Sequence, residues 1–193
     1  MIEMTVDDVM VRVPKNEEVQ WPGRRRDFRK FGSTMLVVLK EREGERMLPM
    51  FVGLGAGTAL AMQLADVETP RPMTFDLMAR LLEASANQIH QVAVTRLHEH
   101  TFYASVWIRA GDRLAEVDAR PSDALNLALR VQAPILVAPE VLEQAGQSPD
   151  RVLPEMEAKY PGDDPSEETA MELRSFRTLP WEEGIGWSKP PKQ

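Results

Sequence analysis

The chain has 193 residues, of which 43% are hydrophobic and none is cysteine, and its formal net charge is −7. This length and composition predict one domain with appendages, and they exclude a disulfide framework, thiolate metal sites and a disordered chain. The N-terminus carries early acidic residues, and no stretch approaches the roughly 18 apolar residues of a membrane span. We therefore expect a cytoplasmic protein with no signal peptide and no membrane contact.

Acidic residues dominate the middle of the chain. Residues 47–145 hold seven Lys or Arg and eleven Asp or Glu. An acidic middle argues against a general binder of the phosphate backbone, which would carry a broad basic face. It is compatible with a nuclease, because such enzymes often use carboxylates to hold a divalent metal that supplies the positive charge.

The first part of the chain is predicted to contain three strands. Apolar and β-branched runs assign them to 4–13, 34–40 and 47–52. A basic loop at 20–32, marked by Pro and Gly, is inserted between the first two strands. A charged turn joins the second and third strands, which indicates a hairpin.

A glycine-rich turn, with Gly53, Gly55 and Gly57, leads into a helix predicted from Thr58. A turn between a strand and a helix is the right context for binding a small anionic ligand. The spacing matches neither a P-loop nor a dinucleotide fingerprint. Tight packing of the helix against the strand explains the same glycines, and both interpretations stay open here.

A second helix is predicted after a rigid, Pro-containing break at 69–72. Thr74 is a good N-cap, and Asp76 lies in the first turn, where a negative charge suits the helix dipole. Apolar residues recur at helical spacing and predict a buried stripe of Leu77, Met78, Leu81 and Leu82.

Three antiparallel strands are predicted next, at 89–97, 101–109 and 114–118. A short link containing His98 and His100 joins the first two of them. Two histidines at a hairpin tip are more typical of a solvated turn than of a metal site, which would need further ligands.

The last elements of the domain are predicted from Pro and Gly signals. A helix starts at Pro121, is capped by Ser122 and buries Leu125, Ala128 and Leu129. A short strand at 134–137 and a brief helix at 139–145 follow, and Gly146 ends that helix. These elements predict an α+β fold in which a mixed, mainly antiparallel sheet packs with three to four helices. The single domain spans 1–146, and an acidic, Pro-rich tail at 147–193 is partly helical.

The strongest candidate site is the corner between the last long strand and the helix after it. Asp118, Arg120, Ser122 and Asp123 fall within six residues, and Pro121 holds Arg120 extended. Carboxylates suit a divalent ion, and a guanidinium suits a phosphate. Capping by Ser122, a helix-dipole role for Asp123 and structural ion pairs explain the same residues without any function.

A second corner of the same kind precedes the second helix. It presents Arg71 between two prolines, then Thr74 and Asp76. Two Arg–Pro corners ahead of two helices predict one shared cleft, in which Arg71 and Arg120 face the same ligand.

The basic loop is a third candidate. Arg24, Arg25 and Arg26 lie among Trp21, Phe28 and Phe31, a composition typical of a platform for single-stranded nucleic acid. Aromatic residues that pin a loop to the body of the protein would give the same composition.

Several strings resemble the bifunctional nuclease family. The chain has Leu-Pro-Met-Phe-Val-Gly, Pro-Arg-Pro-Met-Thr-Phe-Asp-Leu and Thr-Phe-Tyr-Ala, where the family has Leu-Pro-Ile-Trp-Ile-Gly, Pro-Arg-Pro-Leu-Thr-His-Asp-Leu and Thr-Phe-Tyr-Ala. Asp-Ala-Arg-Pro-Ser-Asp-Ala at 118–124 and Ala-Pro-Ile at 133–135 match its signature. The resemblance implies an α+β fold, a homodimer, and nuclease activity on DNA and RNA.

Two departures from the family pattern concern polar residues. The family commonly has Glu at the position of Ala56 and His at the position of Phe75. If those side chains take part in metal binding or acid–base work, their absence weakens the activity of this chain.

The function expected is that of a metal-assisted nuclease hydrolysing phosphodiester bonds in DNA and RNA. Asp118, Asp123 and Asp76 would hold Mg²⁺ or Mn²⁺, with Asp118 and Asp123 as the main ligands. Arg71 and Arg120 would bind the scissile phosphate. Further substrate contacts are assigned to Ser122, Thr74, Arg24, Arg25 and Arg26. The alternative is a catalytically weak or inactive oligomeric binding or regulatory module of the same fold.

Overall fold

A computed structural model describes residues 1–12 and 34–152 of the chain. The strands are β1 Ile2–Arg12, β2 Thr34–Glu41, β3 Met47–Gly53, β4 Asn87–His98, β5 Thr101–Ala110, β6 Arg113–Ala119 and β7 Ile135–Val137. The helices are α1 Leu54–Leu64, α2 Thr74–Ala84, α3 Pro121–Val131 and α4 Pro139–Ala145. The basic loop at 20–32 and the tail from 153 onward lie outside the described residues, and so do the predictions made for them.

One seven-stranded sheet, in the order β3-β2-β1-β7-β4-β5-β6, forms the centre of the molecule. Two antiparallel meanders, β1–β2–β3 and β4–β5–β6, are joined by β7, which pairs antiparallel with β1 and parallel with β4. The predicted α+β class, with a mixed and mainly antiparallel sheet and four helices, is confirmed. The two meanders follow from short turns in the sequence, whereas the central position of β7 does not.

Turn residues explain the hairpins of the second meander. Glu99 and His100 connect β4 to β5 with positive φ angles of 46° and 63°, as a two-residue hairpin turn of the primed type requires. Gly111 has φ 60° in the turn from β5 to β6. The histidines of the first turn are exposed, which agrees with a solvated turn.

The core lies between the sheet and helices α1 and α3. Leu60 of α1 and Leu125 of α3 are buried against strand residues such as Val37 and Val106. Alternation along β5 directs Phe102, Ala104, Val106 and Ile108 to the core face of the sheet. Ala104 and Val106 are buried there, and the other two pack against the same core.

The first helix begins earlier than predicted. It starts at Leu54 and not at Thr58, with Gly53 in extended conformation as its N-cap. A Cβ added at Gly57 would lie 2.6 Å from Met35 Sδ, so only glycine allows α1 to approach β2 this closely. The packing interpretation is therefore confirmed for Gly57, whereas a Cβ at Gly53 or Gly55 would meet nothing within 4 Å. Sequence reasoning placed the helix start too late because glycine has low helix propensity, which tertiary packing overrides here.

The predicted burial of the α2 stripe is wrong. Leu77, Met78 and Leu81 are 52%, 41% and 59% exposed, and α2 has no buried residue at all. The helix meets the body of the protein through its other side, where Phe75 packs against the core. The apolar period identified the helix correctly but not the face that is turned inward.

Two predicted helix caps are also wrong by one or two residues. Met73, not Thr74, is the N-cap of α2, and Arg120, not Ser122, is the N-cap of α3. Pro121 occupies the first helical position, where its fixed φ and missing N–H are tolerated. Ser122 is consequently one residue inside the helix and is only 7% exposed.

The packed body continues slightly beyond position 146. Gln147 exchanges two backbone hydrogen bonds with Met47 at the β3 edge of the sheet. Val152 is buried against Val38 and Met47. Within 1–12 and 34–152, no helix is long and apolar enough to cross a membrane.

Candidate active site

The first Arg–Pro corner is built around a two-pronged ion pair. Arg120 donates from Nε to Asp123 Oδ2 at 2.7 Å and from Nη2 to Asp123 Oδ1 at 3.0 Å. The Arg120 side chain is 77% exposed, and that of Asp123 is 24% exposed. The hydrogen bonds that Arg120 donates to Asp123 raise the pKa of Arg120 above its ordinary value. The pair orients a permanently charged guanidinium toward solvent, and it occupies both oxygens of Asp123.

Asp118 differs from Asp123 because it is free. It lies next to the end of β6, opposite Ser105 of β5, and is exposed. No hydrogen bond or ion pair to its carboxylate occurs within the described part of the chain. Ser122, which was expected to contact substrate, is buried beneath this corner.

The second Arg–Pro corner forms the wall of a surface pocket. Arg71, Asp76 and Arg80 line a cavity of about 400 Å³, together with the backbone around 67–72. The Thr69 hydroxyl donates to the Arg71 carbonyl oxygen at 2.8 Å, which fixes the backbone of this loop. The Arg71 side chain is exposed and has no partner among residues 1–12 and 34–152. Thr74, at the start of α2, is exposed as well.

Asp76 is held on both sides of its carboxylate. Oδ2 accepts a hydrogen bond from the Met73 backbone N–H at 2.7 Å, and Oδ1 accepts one from Arg130 Nε. Burial alone raises the pKa of Asp76, but the Met73 N–H and the nearby guanidinium of Arg130 outweigh it. The pKa therefore lies below the ordinary value, and the group is a firmly ionised carboxylate with both oxygens engaged.

A buried polar network extends from Asp76 into α3. Arg130 Nη1 donates to Asn126 Oδ1 at 3.0 Å and to the Asn126 carbonyl oxygen at 3.1 Å. Asn126 is fully buried, and its Nδ2 donates to the carbonyl oxygens of Ala56 at 2.9 Å and Ser122 at 2.8 Å. The first turns of α1, α2 and α3 are thereby joined through two side chains.

The network also shows where each corner meets α3. The guanidinium of Arg130 reaches back to Asn126, four residues earlier on the helix, and binds Asp76 there. Asp123 lies in the first turn of α3. The two corners therefore adjoin different turns of α3, and no hydrogen bond in the described ranges connects them directly.

Sequence reasoning missed Asn126 and Arg130. Their spacing of four residues on one helix was a signal that they contact each other. The partners that give the pair its meaning, Ala56 and Asp76, are 70 and 54 residues away in sequence. Only the packing of three helices brings them together.

With this geometry in place, comparison with known proteins assigns the family. A model of the bifunctional nuclease domain matches residues 37–150. The chain belongs to this family. The match covers both Arg–Pro corners and the α3 network, and it leaves out the whole of β1 and the first three residues of β2.

Individual relatives of this bifunctional nuclease family member fall into two groups. An uncharacterised protein of Mycobacterium tuberculosis is 36% identical over 146 residues, which is 76% of this chain and 77% of that protein. Bifunctional nuclease 2 of Arabidopsis thaliana is 30% identical over 105 residues. Bifunctional nuclease 1 of Oryza sativa subsp. indica is 27% identical over a stretch of the same length. Each plant comparison covers 52% of this chain and 32% of the plant protein, so the chain spans about a third of those relatives.

The two departures from the family pattern, at Ala56 and Phe75, lie beside the same pair of side chains. The carbonyl oxygen of Ala56 accepts a hydrogen bond from Asn126, and the ring of Phe75 lies 5.5 Å from the guanidinium carbon of Arg130. The positions at which the bifunctional nuclease family commonly has Glu and His therefore both border the Asn126–Arg130 pair. In the sequence the absences of the family's Glu and His are separate, whereas in the structure both change the surroundings of the Asn126–Arg130 pair.

The carboxylates of the two corners do not form a metal centre by themselves. No group of three or more His, Asp or Glu side chains able to hold a metal ion occurs in the described residues. Asp123 is bound by Arg120 and Asp76 by Arg130, which leaves Asp118 as the free carboxylate of the predicted set. A divalent ion at Asp118 would therefore take its other oxygen ligands from water and from substrate phosphates.

Proposed function

We propose that this protein is a nuclease that hydrolyses phosphodiester bonds in DNA and RNA. The observation that carries the proposal is the family match over residues 37–150, which includes both Arg–Pro corners. The plant relatives that share this region are named bifunctional nucleases. Exposed arginines at both corners support the same chemistry.

The arginines would bind and neutralise the phosphate. Arg71 is free, and Arg120 is exposed and oriented by Asp123, so both guanidiniums can donate to phosphate oxygens. Donors of this kind stabilise the negative charge that develops in phosphoryl transfer. Asp118, the free carboxylate beside Arg120, would orient the attacking water, and the exposed hydroxyl of Thr74 would add a phosphate contact.

The other predicted site residues have two kinds of role. Asp76 and Asp123 would act by fixing arginines, since their oxygens are already engaged. Arg24, Arg25 and Arg26 stay predicted contacts to the nucleic-acid backbone. Asp118 would be the protein ligand of a bound divalent ion, no step is assigned to that ion, and dependence on Mg²⁺ or Mn²⁺ stays a prediction for the assay.

The assay is cleavage of single-stranded DNA and RNA by purified protein, with and without Mg²⁺ or Mn²⁺. We expect Arg120→Ala to lower kcat/KM by about 10²-fold, the usual effect of removing one donor to developing charge. Asp118→Asn should also lower it. The matched controls are Arg46→Ala, which removes another exposed ion-paired arginine, and Asp112→Asn in the β5–β6 turn.

Full activity of folded Arg120→Ala and Asp118→Asn proteins would contradict the assignment of these residues. Absence of cleavage by the unaltered protein under every metal condition would contradict the proposed function.

A second candidate function is a catalytically weak or inactive oligomeric binding or regulatory module. The pairing of Asp76 and Asp123 with arginines favours it, because ion pairs of this kind stabilise a fold without any chemistry. In that case pure, metal-loaded protein is inert, and Arg120→Ala lowers stability and not a reaction rate.

For either function we propose that the protein forms a homodimer through the outer face of α2. This face consists of Leu77, Met78 and Leu81, on a helix that buries none of its residues. Adjacent exposed apolar side chains on one helix face are typical of an interaction surface. Tyr103 and Trp107 of β5 are less suited to a dimer contact, because each is partly buried within the chain and the guanidinium of Arg96 lies 4.1 Å from the centre of the Tyr103 ring.

A further inference from the structure

The Asn126–Arg130 pair joins the helices that carry the two Arg–Pro corners. We propose that Asn126 and Arg130 are positioning residues, which hold the two corners at a fixed separation along α3 so that one nucleic-acid strand contacts both. The inference rests on the proposed nuclease function, and it adds a minimum length to the substrate.

Arg130 is what fixes the Arg71 corner to α3. No residue of α2 is fully buried, and its apolar packing on the body rests on partly buried side chains such as Phe75. Its polar contact with α3 is the ion pair between Arg130, whose side chain is 7% exposed, and Asp76 in the first turn of α2. A shielded, charge-assisted pair is strong and directional, so it sets the position of that turn and of the Arg71 loop before it.

Asn126 fixes Arg130 in turn. Its Oδ1 accepts from Arg130, and both hydrogens of its Nδ2 are donated to carbonyl oxygens in the first turns of α1 and α3. All the polar atoms of this fully buried side chain are satisfied, which rigidifies a network. The guanidinium of Arg130 therefore has little freedom to move relative to Arg120.

Neither residue is well placed to touch the substrate. Asn126 is fully buried, and Arg130, whose side chain is 7% exposed, uses Nε on Asp76 and Nη1 on Asn126. We therefore expect their effect on a reaction to act through the placement of Arg71 and Arg120. This is why they are positioning residues and not catalytic ones.

The separation of the corners defines the expected substrate. They adjoin different turns of α3, and a stacked strand advances roughly 3.4 Å per phosphate, so we expect a strand of several nucleotides to bridge them. Once a strand is bound at one corner, its contact with the second corner is intramolecular. This second contact raises the affinity, provided that the spacing of the corners is fixed. A dinucleotide reaches only one corner and gains nothing from the spacing.

The test compares kcat and KM on a dinucleotide and on a 12-nucleotide single strand. We expect Arg130→Met to lower kcat/KM on the long strand by about 10-fold, mainly through KM, and on the dinucleotide by less than about 2-fold. Asn126→Ala should act in the same direction. Arg130→Lys keeps the positive charge but loses the two-pronged hydrogen-bond geometry of the guanidinium, so it should recover part of the loss of kcat/KM on the long strand. This variant provides the test of the positioning role if Arg130→Met does not fold.

Arg46→Met, which removes an ion-paired arginine at the β2–β3 hairpin, is the matched control and should affect neither length. An equal loss on both lengths, for a variant with an unchanged melting temperature, would overturn the positioning role alone. Unaltered rates on the long strand for folded Arg130→Met or Arg130→Lys would also overturn it. A wild-type protein that neither cleaves nor binds either strand would overturn the proposed function together with this inference.

Discussion

At the scale of single residues, the structure separates paired charges from free ones. Arg120 and Asp123 form one ion pair, and Arg130 and Asp76 form another. Their surroundings differ, since the Arg120 side chain is 77% exposed and that of Arg130 is 7% exposed. The first pair is a surface feature that presents a guanidinium, and the second is part of the internal structure.

We expect Arg120→Ala to lower the free energy of unfolding by less than about 1 kcal/mol, because exposed ion pairs contribute little to stability. Urea unfolding at neutral pH measures this, with Arg46→Ala as a control at another exposed ion pair. A loss well above that of the control would show that Arg120 has a structural role, which would favour the inactive-module alternative.

The lowered pKa of Asp76 predicts a dependence of stability on pH. An ordinary Asp in the unfolded chain has a pKa near 3.9, and in the folded protein the Asp76 value lies lower. The carboxylate therefore contributes stability above about pH 4, and that contribution is lost as pH falls through the folded pKa. In urea unfolding at pH 7 and pH 3, the deficit of Asp76→Asn relative to wild type should shrink at the lower pH.

The pKa of Glu41, lowered by its hydrogen bond from Arg46, gives a similar acid-sensitive contribution. This contribution is present in both wild type and Asp76→Asn, so it cancels from the difference in their free energies of unfolding. A deficit for Asp76→Asn that stays constant between the two pH values would contradict an ionised, stabilising Asp76.

At the scale of elements, α1 and α2 pack in opposite ways. Helix α1 buries Ala59 and Leu60 and depends on Gly57 for its approach to β2, whereas α2 buries none of its residues. The position of α1 is thus set by shape, and that of α2 by the partial packing of Phe75 together with the ion pair between Asp76 and Arg130.

The close approach of α1 predicts opposite effects for two glycine substitutions in one helix. Gly57→Ala should destabilise by about 1–3 kcal/mol, because its Cβ would lie within 3 Å of three Met35 side-chain atoms. Gly55→Ala meets nothing within 4 Å and should stabilise by about 0.5–1 kcal/mol, as alanine does in a helix. Thermal or urea unfolding of both variants measures this, and equal effects would contradict the tight α1–β2 contact.

At the scale of the whole molecule, β7 unites two separate meanders. It pairs with β1 and β4, the first strands of the two meanders, and it directly precedes α4. The three-helix network lies on this single sheet, so the two corners belong to one body. The outer face of α2 is then the apolar surface through which we propose that two such bodies associate.

The proposed dimer predicts that a charged side chain placed on the outer face of α2 separates the two chains. Leu81 is 59% exposed, so Leu81→Glu should leave the stability of a single chain unchanged but should separate the dimer by desolvating a carboxylate in the interface. Light scattering coupled to size exclusion measures the mass of each variant. Leu114→Glu, on exposed strand β6, is the matched control and should not alter the mass.

The sequence by itself determined the elements and the family signature. Alternation along β5, the turn at 111–112 and the Asp-Ala-Arg-Pro-Ser-Asp string are local patterns, and the structure and the family match agree with them. Local signals suffice there because strand period and turn type depend on neighbours in the chain.

Only the tertiary structure decided which face of α2 is exposed, that glycine is required at Gly57, and that Arg130 reaches Asp76. A helical period shows that one face is apolar but not what lies opposite it, and Met35 and Asp76 are far in sequence from the residues they contact. The same limit applies to the carboxylates of the two corners. Their spacing suggested a metal site, and only the packing of α2 and α3 showed that arginines already occupy Asp76 and Asp123.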